Sequence, residues 1–256
     1  MIPYLEWKTF ALGPLTLQVW GLFAAVGVVA GTLFALREAR RKGLDVAKTE
    51  SLAFWTVFLA FVGARVFHAA FYEPAWYVAH PLDIVRIWKG GFSSFGGFFG
   101  AFGAFLWKGR ALGLPFLKTA DVLTPAATLG LGCGRIGCFL IHDHPGTLAH
   151  GAGNWLAVNY PDAPRYDLGL LLGVLDFALF GAYLALRRTT RPDGFYLAWL
   201  LMAYAPARFG LDFLRTVDIR YAGLTPGQYG SMLLFGVGLF VILRRVRQSP
   251  RSVSNG

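Results

Sequence analysis

The chain has 256 residues, of which 55% are apolar and only 15% are charged. Soluble globular domains carry about 25% charged residues, so this composition excludes a water-soluble globule of this size. The 23 phenylalanines, 10 tyrosines and 8 tryptophans exclude a disordered chain, and the presence of only two cysteines excludes a disulfide scaffold. A protein that crosses the membrane several times remains.

Seven apolar segments follow one another along the chain, and each is close to the roughly 20 residues that a membrane-spanning helix needs. They cover residues 15–36, 51–71, 90–107, 119–141, 168–186, 195–213 and 221–243. The sequence therefore predicts an all-α fold with about seven transmembrane helices. No linker divides the chain. We expect one membrane domain over residues 1–250, with its largest soluble loop at 142–167, and a disordered tail at 251–256.

Lysine and arginine are concentrated in alternate connections between these segments. The first, third and fifth connections and the C-terminal segment contain 15 of the 24 basic residues but only four acidic ones, a balance of +11. Under the positive-inside rule these parts face the cytoplasm, which predicts an outside N-terminus and a cytoplasmic C-terminus. The remainder sums to −1, so the net charge of +10 reflects topology and requires no nucleic-acid partner.

Three arginines lie within the predicted membrane segments, where a charge is costly and indicates function. Arg65, Arg135 and Arg208 lie ~20–24 Å from the cytoplasmic ends of their helices, at a rise of about 1.5 Å per residue. Arginine stays charged when partly desolvated and its planar fork suits phosphate, so this common level favours an anionic phospholipid. The alternative is that each arginine reaches the interface or pairs with Asp212 or Asp143.

The sixth predicted helix ends in a polar stripe. Its members share one helix face at spacings of four, four and three residues, and they are Tyr204, Arg208, Asp212 and Arg215. We expect the stripe to face a polar cavity; the alternative is a surface ion-pair ladder at a helix end. Asp176 lies in the middle of the fifth segment, where its carboxyl group is expected to be either neutral or paired with a positive charge. The sequence assigns it no role.

Two histidines flank Asp143 directly after the fourth predicted helix. His142 or His144 could act there as a base toward a lipid headgroup, and the alternative is a pair of solvated loop histidines. Cys133 and Cys138 are about 140° apart around a helix, so they neither pair nor share a metal ion. Because no group of histidine, cysteine and carboxylate has metal-ligand spacing, the sequence predicts neither a metal site nor a cofactor.

Glycines are concentrated at residues 91–97 and in a second run of Gly130, Gly132, Gly134 and Gly137. Glycine lets main chains approach closely. The pattern alone leaves open whether the neighbour is another helix or a lipid headgroup.

Together these motifs resemble one family. Gly134-Arg135-Ile136-Gly137-Cys138-Phe139, followed by Asp143 and Gly146, is similar to the signature of the prolipoprotein diacylglyceryl transferases, Gly-Arg-x-Gly-Asn-Phe-x-Asn-Gly-Glu-x-x-Gly. Further matches occur in the family's order at Trp20-Gly21-Leu22, Gly63-Ala64-Arg65, Ser94-Phe95-Gly96-Gly97, Tyr204, Arg208-Phe209, Asp212-Phe213, Arg215 and Gly227-Gln228. The resemblance extends over residues 10–245.

The resemblance implies a multi-pass enzyme of the bacterial cytoplasmic membrane. This family transfers a diacylglyceryl group from phosphatidylglycerol to the lipobox cysteine thiol of a prolipoprotein, the first step of lipoprotein maturation. The implied partners are the lipid and the signal peptide that carries the lipobox. Matching positions imply catalytic roles for Arg208, Tyr204 and Asp143, the last at the place of the signature glutamate. They imply a phosphatidylglycerol site of Arg135, Arg65, Gly96, Gly97, Gly134 and Gly137.

The chain departs from the family where the thiol is expected to react. Phe95 replaces a histidine that is a leading candidate for the base, and Cys138 replaces an asparagine. Because the arginines are kept, we expect an active transferase in which His142 or His144 replaces the missing base. The alternative is a non-catalytic or re-purposed relative that binds anionic phospholipid or lipoprotein. A transporter would show paired repeats or broken helices, which the sequence lacks.

Overall fold

The computed structural model describes residues 1–12, 15–86, 91–149, 154–216 and 220–248. The chain forms two compact units, one of Met1–Gly31 with Ala120–Gly256 and one of Thr32–Thr119. The tail predicted at 251–256 lies outside the described residues.

Eight α-helices make up most of the described chain. They are α1 (Val19–Arg41), α2 (Val46–Phe71), α3 (Pro74–Ala79), α4 (Ser94–Ala111), α5 (Phe116–Ile141), α6 (Leu168–Leu186), α7 (Phe195–Leu211) and α8 (Pro226–Gln248). Short 3-10 helices at Pro81–Val85 and Asp212–Leu214 follow α3 and α7. Five helices, α1, α2, α5, α6 and α8, are long and apolar enough to cross a membrane. The chain is therefore a predominantly α-helical, multi-pass membrane protein.

Two of the seven predicted spans correspond to the shorter helices α4 and α7. These helices have 18 and 17 residues. A helix of 17 residues extends only about 26 Å, just short of the ~30 Å hydrocarbon core. The count of seven spans therefore stays a prediction.

The first helix begins later than the apolar pattern indicated. Residues 15–18, which we predicted as helix, form strand β3 (Leu15–Gln18), and β3 pairs antiparallel with β2 (Thr9–Leu12). Apolar and polar residues alternate in β3, and a period of two fits a strand. Helix α1 starts only at Val19, whose N–H donates to the main-chain oxygen of Lys8 (3.1 Å).

The loop at 142–167 contains a small sheet that the apolar pattern did not reveal. Strands β4 (Pro145–Leu148), β5 (Ala157–Asn159) and β6 (Pro164–Asp167) pair antiparallel, and β1 (Ile2–Pro3) joins β5 in parallel. The strand order is β1-β5-β6-β4. Strand β6 ends at Asp167, which caps α6 by accepting from the Leu170 N–H (2.9 Å).

A buried carboxylate joins α5 to the start of α7. Both oxygens of Asp121 accept hydrogen bonds, one from the Gly194 N–H and one from the Leu197 N–H, each at 2.8 Å. The first N–H groups of a helix lack partners within it and attract negative charge, so Asp121 both satisfies and stabilises this end. Asp121 thereby orients the helix that carries Tyr204 and Arg208.

Glycines bring the main chains of α2 and α4 into contact in the unit 32–119. A Cβ atom at Gly63 would overlap the main-chain oxygen of Gly96, and one at Gly100 would overlap that of Leu59. A Cβ atom at Gly96 would likewise overlap the main-chain oxygen of Gly63, so helix packing accounts for Gly96 within the run 91–97 and for Gly100 beyond it.

Replacing Gly100 by alanine is expected to destabilise the protein by about 1–3 kcal/mol, because the added methyl group collides with main chain. The measurement is the midpoint of thermal unfolding in detergent micelles. Gly103→Ala is the matched control on α4, since a Cβ there meets no atom within 4 Å in the described chain. Alanine is favoured over glycine within a helix, so we expect this control to be neutral or stabilising. Equal losses in both variants would contradict the packing argument.

Candidate active site

A buried aspartate lies at the centre of the polar stripe at the end of α7. Oδ1 of Asp212 lies 3.0 Å from Nη1 of Arg208 and 2.9 Å from Nε of Arg215. Asp212 is fully buried, and the two arginine side chains are only 13% and 12% exposed. The alternative of an ion-pair ladder on the surface is therefore wrong.

The first turn of α8 holds the other oxygen of Asp212. The Thr225 hydroxyl donates to Oδ2 of Asp212 (3.0 Å) and accepts from the Gln228 N–H (3.1 Å). Gln228 Oε1 in turn accepts from the Thr225 N–H (2.9 Å), which completes a capping box. A Cβ atom at Gly227 would overlap Oδ2 of Asp212 and lie 3.1 Å from Nη2 of Arg208. Glycine is required there because the carboxylate occupies the space of a side chain.

Arg135 lies close to the stripe, although it comes from α5. Its charge interacts with those of Arg208 and Asp176, and with the Tyr204 phenol. Glycines allow this approach, since a Cβ at Gly173 of α6 would lie 3.1 Å from the Arg135 Cβ. The structure thus brings together Arg135, Arg208 and Tyr204, three of the residues that the resemblance singled out.

Asp143 and His144 lie at the loop side of the same cluster. Nδ1 of His144 lies 3.7 Å from Oδ1 of Asp143 and 2.8 Å from its main-chain oxygen. Burial raises the pKa of Asp143, although His144 and Arg135 oppose the shift. Burial lowers the pKa of His144, and the positive charges of Arg215 and Arg135 lower it further against the attraction of Asp143. His144 is therefore a neutral imidazole at neutral pH.

Cys138 lies close to Asp143 and His144, a grouping that the spacing along the sequence did not indicate. One potential ligand atom from each of the three residues lies within 4.8 Å of the others. The chain turns back after α5, and sequence spacing does not reveal that turn. Arg135 and Arg215 face this group. Their field disfavours a metal cation just as it disfavours a protonated His144.

His142 is buried and not a solvated loop residue, so that alternative was wrong for it. Its Nδ1 lies 2.8 Å from Oδ2 of Asp167, an oxygen that also accepts from the Tyr160 hydroxyl (2.7 Å). The ring stacks on Tyr4 at a centroid distance of 4.2 Å. Burial and the bond to Asp167 raise the pKa of Tyr160, which therefore donates as a neutral phenol. Nε2 of His142 is buried, without a hydrogen-bond partner among the described residues.

Arg65 lies in the unit 32–119, and its guanidinium group contacts main chain. It donates to the carbonyl oxygens of Asp83 (2.6 Å), Ile84 (2.9 Å), Gly91 (3.0 Å) and Arg86 (3.3 Å). These bonds tie α2 to the segment after α3. Sequence reasoning expected Arg65 to bind phosphate at the level of Arg135 and Arg208. The contacts of Arg65 in the structure are with main-chain oxygens. Its binding of phosphate and its common level with Arg135 and Arg208 both stay predictions.

The predicted glycine positions differ in their surroundings. A Cβ at Gly137 would lie 3.0 Å from the Trp20 Cα, so this glycine allows α5 to pack on α1. At Gly134 a Cβ meets no atom within 4 Å in the described chain, and at Gly97 the contacts are ordinary ones at 3.7 Å. Packing therefore explains Gly137, whereas space remains at Gly134 and Gly97.

Sequence reasoning assigned no role to three polar residues that hold this site. Asp167, Thr225 and Gln228 are all fully buried. The capping box Thr225-Pro226-Gly227-Gln228 was a usable signal, because threonine followed three residues later by glutamine marks a helix start. No local signal marks Asp167 as the partner of His142, since 25 residues separate them.

The fold and this site define a class of protein, a multi-pass α-helical membrane protein in which partly buried arginines lie near buried carboxylates at the ends of apolar helices. A family model for prolipoprotein diacylglyceryl transferase matches residues 8–244. The chain belongs to that family.

Several relatives with the same name align with this chain over almost its whole length. The phosphatidylglycerol–prolipoprotein diacylglyceryl transferase of Bordetella avium is 30% identical over 265 residues, covering 97% of this chain and 98% of the relative. The protein of the same name from Pseudomonas fluorescens is 31% identical, with coverages of 98% and 97%. That from Nitrosomonas europaea is also 31% identical, with coverages of 94% and 90%.

Replacing Gly227 by alanine is expected to displace the Asp212 carboxylate and to cost about 1–3 kcal/mol of folding free energy. Thermal unfolding and binding to vesicles of phosphatidylglycerol report the two consequences, lower stability and weaker lipid binding. Gly230→Ala, one turn further along α8, is the control, because a Cβ there meets no atom within 4 Å in the described chain. An unchanged Gly227→Ala protein would disprove the close approach to Asp212.

Proposed function

We propose that this protein transfers the diacylglyceryl group of phosphatidylglycerol to the lipobox cysteine thiol of a prolipoprotein, the first step of bacterial lipoprotein maturation. Membership of the family and the shared name of its relatives support this activity. The single observation that carries it in the structure is that the charges of Arg135 and Arg208, which come from different helices, interact in one partly buried polar cluster. The alternative of a non-catalytic relative gains no support from the comparisons.

The reaction requires fixed positive charge where the phosphate departs. The thiol sulfur attacks the glyceryl carbon of the lipid, the carbon–oxygen bond to phosphate breaks, and glycerol phosphate leaves with the bonding electron pair. Arg135 would bind the phosphate in the lipid, and Arg208, oriented by Asp212, would stabilise the charge that develops on it. Such preorganised donors act strongly in a site from which water is excluded.

We propose supporting roles for the other residues singled out. Tyr204 would donate a hydrogen bond to the departing phosphate beside Arg208. Asp143 would orient Arg135 from the loop side. A Cβ atom at Gly134 would meet no atom within 4 Å in the described chain, and one at Gly97 would make only ordinary contacts at 3.7 Å, so we propose that each lies beside the lipid and not in a helix contact. Gly96 and Gly137 would act through the packing of their helices, and Arg65 through the segment it ties to α2.

The two candidate replacement bases differ in accessibility. His142 is packed against Tyr4 and held by Asp167, so it supports the loop from inside. His144 is partly exposed beside Asp143 and is the better placed of the two to reach a substrate. Loss of stability is the expected effect of His142→Ala.

The remaining assignments concern location. We propose one transferase domain over residues 1–250 in the bacterial cytoplasmic membrane, with seven spans, an outside N-terminus and a cytoplasmic C-terminus. The alternation of basic connections and the family match over residues 8–244 support them. With this orientation the loop 142–167 faces outward and can receive the prolipoprotein.

Transfer of labelled glycerol from phosphatidylglycerol to a synthetic lipobox peptide tests the proposal. We expect activity in the unmodified protein and a loss of at least about 100-fold in Arg135→Ala, the size of effect when a charged donor at the reacting group is removed. Arg135→Lys should remain impaired, since lysine lacks the planar fork. Arg191→Ala, an exposed arginine stacked on Phe195, is the matched control and should keep full activity.

Rescue of a cell depleted of its own transferase distinguishes the two functions. A catalytic protein restores growth, and its Arg135→Ala variant does not. If the unmodified protein is folded, reaches the membrane and neither restores growth nor transfers label, the proposed activity is disproved.

A further inference from the structure

A buried carboxylate in α6 takes no part in the roles assigned above. Asp176 is 2% exposed, and its Oδ1 is buried without a hydrogen-bond partner among the described residues. Most buried carboxylate oxygens in proteins are hydrogen-bonded, since an unsatisfied one costs free energy. A costly group of this kind at the edge of a reaction site points to a use during the reaction.

The surroundings of Asp176 place it beside the phosphate-binding residues. Its charge interacts with those of Arg135 on α5 and Arg208 on α7, and with the phenol of Tyr204 on α7. A Cβ atom at Gly132 would lie 3.4 Å from the Asp176 Cβ, so a small residue on α5 lets α6 approach here. The other acidic member of the stripe, Asp212, is already engaged by Arg208, Arg215 and Thr225.

The charges of the cluster are balanced before substrate binds. Three arginines (135, 208 and 215) face three aspartates (143, 176 and 212), so their formal charges cancel when all six are ionised. A phosphodiester adds one negative charge to this buried site. The proton that an acceptor thiol releases would restore the balance, and Asp176, whose Oδ1 has no hydrogen-bond partner among the described residues, is a carboxylate that can receive it.

We infer that Asp176 accepts the proton of the acceptor thiol during transfer. This inference rests on the proposed transferase function. The proton moves from sulfur to Asp176 as sulfur attacks the glyceryl carbon and the carbon–oxygen bond breaks. The departing glycerol phosphate, which carries the bonding electrons, then takes the proton from Asp176. The carboxylate is regenerated, and no further reactant is consumed.

A pair of peptides separates a proton acceptor from a carboxylate that only balances charge. One lipobox peptide carries cysteine, and the other carries selenocysteine, whose selenol is already ionised at neutral pH and needs no base. With Asp176→Asn we expect a loss of about 100-fold or more for the thiol, the contribution of a general base. We expect the selenol rate to stay within threefold of the unmodified protein. Arg135→Ala should lose both reactions.

The pH profile gives a second readout. A free thiol has a pKa of about 8.5, so the deficit of Asp176→Asn should shrink as the pH rises from 7 to 9 and thiolate forms in solution. Asp176→Glu keeps a carboxylate and should retain thiol transfer better than Asp176→Asn. Asp193→Asn removes an exposed carboxylate elsewhere on the chain and should change neither rate.

Four results would overturn the inference. The first is an equal thiol rate in Asp176→Asn and the unmodified protein, and the second is a parallel loss of the thiol and selenol reactions in Asp176→Asn. The third is a selective loss of thiol transfer in His144→Ala. The fourth is an Asp176→Glu protein that folds and binds phosphatidylglycerol but transfers to the thiol no better than Asp176→Asn. Each leaves the transferase function intact if the unmodified protein is active. Failure of the unmodified protein with both peptides would instead disprove the proposed function itself.

Discussion

The carboxylate of Asp212 organises the charged interior of this protein. An arginine in an apolar helical fold needs a partner, because a lone charge away from water costs several kcal/mol. Asp212 provides that partner to Arg208 and Arg215 at once, and Thr225 holds its second oxygen from the next helix. One residue thus links the end of α7 to the start of α8. Because Gly227 leaves room for it, the carboxylate reaches both arginines without an intervening side chain.

The need to balance each buried charge with an opposite one also applies to the other charged residues of the site. Arg135 comes from α5, Asp176 from α6 and Asp143 from the loop that follows α5, so the balance of charge depends on four separate parts of the chain. A net-neutral site can admit an anionic lipid, yet its fixed donors remain aimed at the anion. This arrangement is compatible with the proposed binding of an anionic phospholipid at Arg135 and Arg208.

The loop 142–167 is built on a second buried carboxylate. Asp167 caps α6, and its other contacts are with His142 and Tyr160. Asp167 is therefore one of the links between the loop sheet and α6, beside main-chain hydrogen bonds such as that from Leu168 N–H to the His144 oxygen (3.2 Å). His142, which the sequence suggested as a catalytic base, is the residue that this carboxylate holds in place. Its neighbour His144, by contrast, lies among the arginines of the site.

Most helices could be predicted because membrane insertion depends on a local property, the length of an apolar run. The segment 168–186 was predicted to the residue as α6, whereas residues 15–18 were wrongly predicted as helix, since hydropathy alone does not distinguish a short strand from a helix start. In the site, the helical spacing of Tyr204, Arg208 and Asp212 was enough to group them. The main-chain contacts of Arg65 could not be predicted, because they involve carbonyl oxygens 18 to 26 residues away.

By itself, the sequence determined that the chain is a multi-pass membrane protein and that it belongs to a transferase family, and it singled out Arg65, Arg135 and Arg208 as charges within apolar segments. Composition, apolar length and ordered motifs carry that information locally. Only the tertiary structure showed that Asp212 contacts Arg208 and Arg215 at once and that Asp176 lies near Arg135. It also brought Cys138, Asp143 and His144 together. The physical reason is that electrostatic partners are chosen by distance in space, and helices that are far apart in sequence supply them.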